Sequence, residues 1–116
     1  MYSFLSKHRI RSSDEFDVIF KCGKRFHNRC FTLIVVSTEC DYPRLGIVIS
    51  KKNCQLAVNR NRIKRKVREH FRLNQAILSG KDIVVLLRSS TKNINDQEQS
   101  ACIVELFSQC AGYASV

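Results

Sequence analysis

Hydrophobic positions along this chain recur with two periods, and the switches between them divide it into elements. Ser12 followed by Glu15 has the form of a capping box, and Phe16, Ile19 and Phe20 then fall at helical spacing until Gly23. A short first helix is predicted. From Arg25 to Ser37 the period drops to two, with Phe31, Leu33 and Val35 on one face and Thr32, Ile34 and Val36 on the other. Asp-Tyr-Pro-Arg at 41–44 turns the chain. Leu45, Ile47 and Ile49 then alternate with Gly46, Val48 and Ser50, so these stretches read as adjacent strands.

Residues 57–78 form the longest periodic segment. At 100° per residue Ile63, Val67, Phe71, Asn74 and Leu78 share one arc, while Asn61, Arg65, Arg68 and Arg72 lie nearly opposite. The spacing predicts one helix of roughly 33 Å that ends at Gly80. Residues 82–88 (DIVVLLR) are apolar on both faces, as in a strand buried inside a sheet. Asn95 with Glu98 resembles a second capping box, and Ile103, Val104, Phe107 and Ala111 form a stripe up to Gly112. The order α-β-β-β-α-β-α predicts an α+β sandwich, its helices packed on one mostly antiparallel sheet. With no repeat or linker in between, residues 1–116 are expected to form a single domain.

Composition supports a folded chain, since 44% hydrophobic residues is enough for a core. Charge changes the picture more. The formal net charge is +10, and it is local: residues 51–72 hold nine bases and one acid, whereas residues 73–116 hold three bases and four acids. Between Arg60 and Arg72 stand seven cations and only Glu69. Such an excess points to an anionic partner: nucleic acid, an anionic membrane or an acidic protein. Five of the seven are arginines, whose planar fork matches phosphate oxygens, which favours nucleic acid over membrane. The apolar face of the helix is also needed to cover the sheet, which leaves nothing to sink into lipid. An acidic protein stays open. A helix-turn-helix reader of DNA needs a second short helix before residue 57, where the pattern reads strand and loop. Lys51 and Lys52 precede a helix N-terminus, a combination suited to phosphate.

No apolar run approaches the ~20 residues of a membrane span. The first eleven residues lack the apolar segment of a secretory signal, so a cytoplasmic protein with no membrane partner is expected. Six cysteines (22, 30, 40, 54, 102, 110) are then expected as free thiols, and their spacings hold no zinc pattern. His8, His27 and His70 are scattered over separate elements. Asp14, Glu15 and Asp17 cluster on the first helix, and carboxylates near a helix start ordinarily serve its dipole. Neither set suggests catalysis by the protein itself.

The stretch RLGIVISKKNCQLAVNRNRIKRKVREHFR resembles the signature region of the bacterial ribonuclease P protein component, whose hallmark is R-N-R followed by I-K-R, here Arg60 to Arg65. The likeness extends to HRIRSSDEFDVIFKCG, with its paired phenylalanines, and to DIVVLLR. The resemblance implies the accessory subunit of a ribonucleoprotein whose RNA carries the catalytic centre and removes the 5′ leader of precursor tRNA by magnesium-dependent hydrolysis. The implied partners are the catalytic RNA and precursor tRNA, not DNA. The implied cofactor is Mg2+ held mainly by RNA, with no protein ligands identifiable.

By position, the resemblance places Arg60, Asn61, Arg62, Lys64, Arg65, Lys66 and Arg68 on RNA, with Lys51, Lys52 and Arg29 in support around a groove. Phe16, Phe20 and Phe31 would line that groove between the first helix and the sheet and hold the single-stranded leader, where aromatic stacking is worth ~1–3 kcal/mol per base. It also implies a left-handed β-α-β crossover, against the usual rule. Two departures stand out. Residues 53–56 read NCQL where many members have a glycine-containing turn, and Ile34 stands where some carry tyrosine. The rival readings are a general RNA-binding or ribosomal protein without a leader groove, and a self-sufficient nuclease.

Overall fold

The computed structural model describes residues 9–10, 12–38, 41–50, 54, 56–88 and 95–112. Helix α1 (Ser13–Cys22) begins where the pattern placed it: the Ser12 hydroxyl accepts the Glu15 N–H at 3.1 Å. The 25–37 stretch supplies two of the three strands expected before the long helix, β1 (Lys24–His27) and β2 (Phe31–Ser37), paired as a hairpin. Asn28 makes the corner. Its Oδ1 accepts the N–H groups of Cys30 at 3.0 Å and Phe31 at 3.1 Å. Strand β3 spans Arg44–Val48 and β4 spans Lys81–Leu87.

The sheet order is β1-β2-β4-β3. β4 pairs antiparallel with β2, from Phe31 opposite Leu87 to Ser37 opposite Lys81, and parallel with β3, from Arg44 beside Asp82 to Val48 beside Leu86. Being central, β4 is buried on both faces, which is why its sequence is apolar throughout after Asp82.

The two faces carry different helices. Phe31, Leu33, Val35, Leu45, Ile83, Val85 and Leu87 pack under α2 (Ala57–Leu73) and α4 (Asp96–Ala111), meeting Ile63, Val67, Phe71, Ile103, Leu106 and Phe107. Ile34 and Val84, flanked by Val36 and Leu86, pack under α1 with Ile10 and Ile19. Removing such side chains from water stabilises by about 1.5–3 kcal/mol each.

The predicted helix over 57–78 breaks at Asn74. Its side-chain amide donates to the His70 carbonyl at 2.7 Å, competing with the backbone ladder, and a separate turn, α3 (Gln75–Leu78), follows. α2 is therefore 17 residues, roughly 26 Å, rather than roughly 33 Å. Gly80, at φ 77°, then turns the chain into β4, a left-handed conformation that costs glycine nothing. At the start of α4 the Asn95 side chain accepts the Glu98 N–H at 2.9 Å, as predicted. The five described cysteines are free, and Cys40 lies outside the described residues.

Candidate nucleic-acid interface

Ile63, Val67 and Phe71 anchor α2 to the sheet at helical spacing, which turns the intervening cations outward. Asn61, Arg62 and Arg65 are exposed, and Arg60, Lys64, Lys66 and Arg68 are partly buried. The cations have different tasks. Arg60 Nη1 donates to the Cys54 carbonyl at 2.9 Å and holds the entry to the helix. Lys66 Nζ donates to Gln99 Oε1 at 2.8 Å, turned toward α4. Arg72 pairs with Glu69 one turn back, the single acid of the segment, and that pairing holds the Glu69 carboxyl below its usual range. Neither Asn59 nor Asn61 caps the helix, because the N-cap position is Leu56.

Two clefts flank the outward face of α2. One, of about 350 Å³, is lined by Asn61, Arg65, Arg68, Glu69 and Arg72. The other, of about 310 Å³, has Lys64 and Arg68 on one wall, Ile10 and Phe16 among the residues opposite, and Leu45, Gly46 and Ile47 between. Arg68 borders both. Partial burial, and then the nearby Arg9 guanidinium, lower its pKa, a sign of two like charges held close in a partly dry place. An anion between them would relieve that repulsion.

Phe16 and Phe20, both half-buried on α1, stack with centroids 6.3 Å apart and planes 28° from parallel. Phe16 lies directly over the backbone of Gly46, where an added methyl would come within 2.6 Å of its ring.

Two residues expected at this groove are elsewhere. Phe31 is fully buried on the opposite face of the sheet, among residues under α2 and α4, because it shares the parity of Leu33 and Val35 rather than that of Ile34. Arg29, in the β1–β2 corner, pairs with Glu98 of α4 at 2.9 Å, also away from the α1 face. Lys51 and Lys52, with Asn53 and Gln55 of the NCQL loop, lie outside the described residues. Ile34 is fully buried beneath α1, so it supplies floor and no stacking surface.

Sequence reasoning missed Arg9, Arg44 and Gly46. Arg9 reaches the cleft because residues 9–10 run beside β3, Ile10 N–H donating to the Leu45 carbonyl at 3.0 Å. The only local signal was the glycine among apolar residues, which often marks close backbone approach.

Among the described residues no three His, Cys, Asp or Glu side chains converge as a metal seat. No described helix is long and apolar enough to cross a membrane.

A mixed sheet that holds a cationic helix outward, beside a cleft walled by an aromatic ring, defines a small α+β nucleic-acid-binding protein. The Ribonuclease P family model matches residues 4–111, and the chain belongs to that family, the RNA-binding protein subunit of the tRNA 5′-maturation enzyme. The ribonuclease P protein component of Nitrosococcus oceani is 36% identical over 114 residues, 95% of this chain and 96% of the relative. That of Methylococcus capsulatus is 40% identical over 94 residues, 81% and 73% of the two chains. Among solved structures, the Staphylococcus aureus RNase P protein superposes with a TM-score of 0.81 at 33% identity, covering 88% of this chain and 94% of that one. The Thermotoga maritima protein gives 0.76 at 34% identity, covering 92% and 98%.

Proposed function

We propose that the chain works in the cytoplasm as a single-domain accessory subunit that binds the catalytic RNA of ribonuclease P through the outward face of α2. In the same complex it holds the single-stranded 5′ leader of precursor tRNA in the cleft between α1, β3 and α2. The observation that carries this reading is Arg68, which lines both clefts, so one helix serves two segments of RNA side by side. Asn61, Arg62 and Arg65 offer phosphate-binding groups in the open, Arg68 and Lys64 add charge at the cleft, and Phe16 with Phe20 offers ring surface to a base. Magnesium belongs to the RNA in this scheme, and the protein screens phosphate repulsion around it.

The test is reconstitution with the catalytic RNA, measuring affinity for precursor and mature tRNA across a salt series. Precursor should bind more tightly, and Arg62→Ala should weaken binding to the catalytic RNA and flatten the log-log salt slope by about 0.7 for each phosphate no longer neutralised. An unchanged slope with an intact fold would remove α2 from the interface. Equal affinities would favour a general RNA-binding role, and cleavage without any RNA subunit a self-sufficient nuclease.

A further inference from the structure

We infer that Arg44 is a positioning residue that sets the spacing between α1 and β3, and through it the seat of the Phe16 ring. The inference rests on the leader-cleft reading above. On β3, residues 44, 46 and 48 share the face that looks toward α1, as do Asp82, Val84 and Leu86 on β4. Asp82 is the charged exception in that apolar row. The parallel register sets Arg44 beside it, and the guanidinium binds its carboxylate through two atoms: Nε to Oδ1 at 2.9 Å and Nη2 to Oδ2 at 2.5 Å. The remaining nitrogen, Nη1, reaches Glu15 on α1.

Glu15 immediately precedes Phe16, and Arg44 lies two residues before Gly46, the residue on which the Phe16 ring rests. The clamp thus joins helix and strand right beside the ring–backbone contact in the cleft. Its inner half is well protected, the Asp82 side chain being 7% exposed and that of Arg44 23%. Only a planar fork can serve both carboxylates at once, since an ammonium is a point charge without that geometry. Without Arg44 two carboxylates would face each other beneath α1, pushing helix and strand apart and adding negative potential next to a site for RNA.

The experiment compares Glu15→Gln, Arg44→Lys and Phe16→Ala in the reconstituted holoenzyme, reading the ratio of precursor to mature tRNA affinity alongside affinity for the catalytic RNA. Glu15→Gln leaves the buried Arg44–Asp82 pair in place and so keeps the test alive if Arg44→Lys fails to fold. Both clamp variants should lower the ratio about fivefold or more, near the low end for the loss of one stacked base. Affinity for the catalytic RNA should stay within about twofold, since Asn61, Arg62 and Arg65, the open groups of α2, do not line this cleft. A role confined to stability would lower both affinities together, or neither, in the folded fraction. If Phe16→Ala lowers the ratio and Glu15→Gln does not, the positioning role is wrong and the leader cleft stands. If none of the variants changes it, the cleft reading falls and this inference with it.

Discussion

Replacing Gly46 with alanine would place a methyl 2.6 Å from Cε1 and 2.7 Å from Cζ of Phe16, and 3.5 Å from Cβ of Ile10. Carbon atoms rest at about 3.5–4.0 Å, so the ring must withdraw by about 1 Å while Ile10 need not move. Overpacking of this kind costs about 1–3 kcal/mol. Stiffening of the unfolded chain returns about 0.4–1 kcal/mol, which leaves a net loss of about 1–2 kcal/mol. The sharp test is a double-mutant cycle with Phe16→Ala, followed by urea unfolding. Once the ring is gone the methyl meets only Ile10 Cβ, at ordinary contact distance, so Gly46→Ala should be neutral or slightly stabilising in the Phe16→Ala background, and the coupling is the overpacking cost of about 1–3 kcal/mol. In the holoenzyme the single Gly46→Ala variant should also lose precursor preference although every RNA-facing side chain is retained. Additivity within about 0.5 kcal/mol would show that ring and strand do not press on each other, and would refute the reasoning.

Phe71→Ala removes a fully buried ring that packs against Phe107 at 6.4 Å between centroids, and should cost about 3–5 kcal/mol in urea unfolding; a loss under about 1 kcal/mol would mean that α2 is anchored elsewhere. Burial lowers the pKa of His70 from 6.5, with Lys66 adding to the effect and Glu69 opposing it, so the unfolded chain takes up the proton first. Stability from this group is therefore present above about pH 6.5 and lost as pH falls through the lower folded value, and His70→Gln should flatten the urea midpoint over that window. Burial pushes the Cys30 and Cys110 thiols up to about 12, so iodoacetamide followed by mass spectrometry should modify exposed Cys22 in the native protein and reach those two only on unfolding.

Local chemistry was legible where a single element decided it. Ser12 and Asn95 announce their helices because a cap is a contact over three residues. The cationic face of α2 followed from a period of 3.6 that holds wherever the helix docks, and it was visible before any partner was. The end of that helix was misread because Asn74 sits in the apolar arc, and its competing bond to His70 leaves no trace in hydrophobic spacing.

The sequence alone determined that β2 and β4 have two faces, that α2 has a dry side and a charged side, and which residues share each of them. Those properties come from backbone geometry within one element. Only the tertiary structure decided which face receives which helix, and so sent Phe31 under α2 and α4 while Ile34 went under α1. It likewise decided that Glu15, Arg44 and Asp82 meet, and that Arg9 comes close to Arg68. Such meetings depend on strand register and helix docking between segments tens of residues apart, which side-chain alternation leaves undetermined.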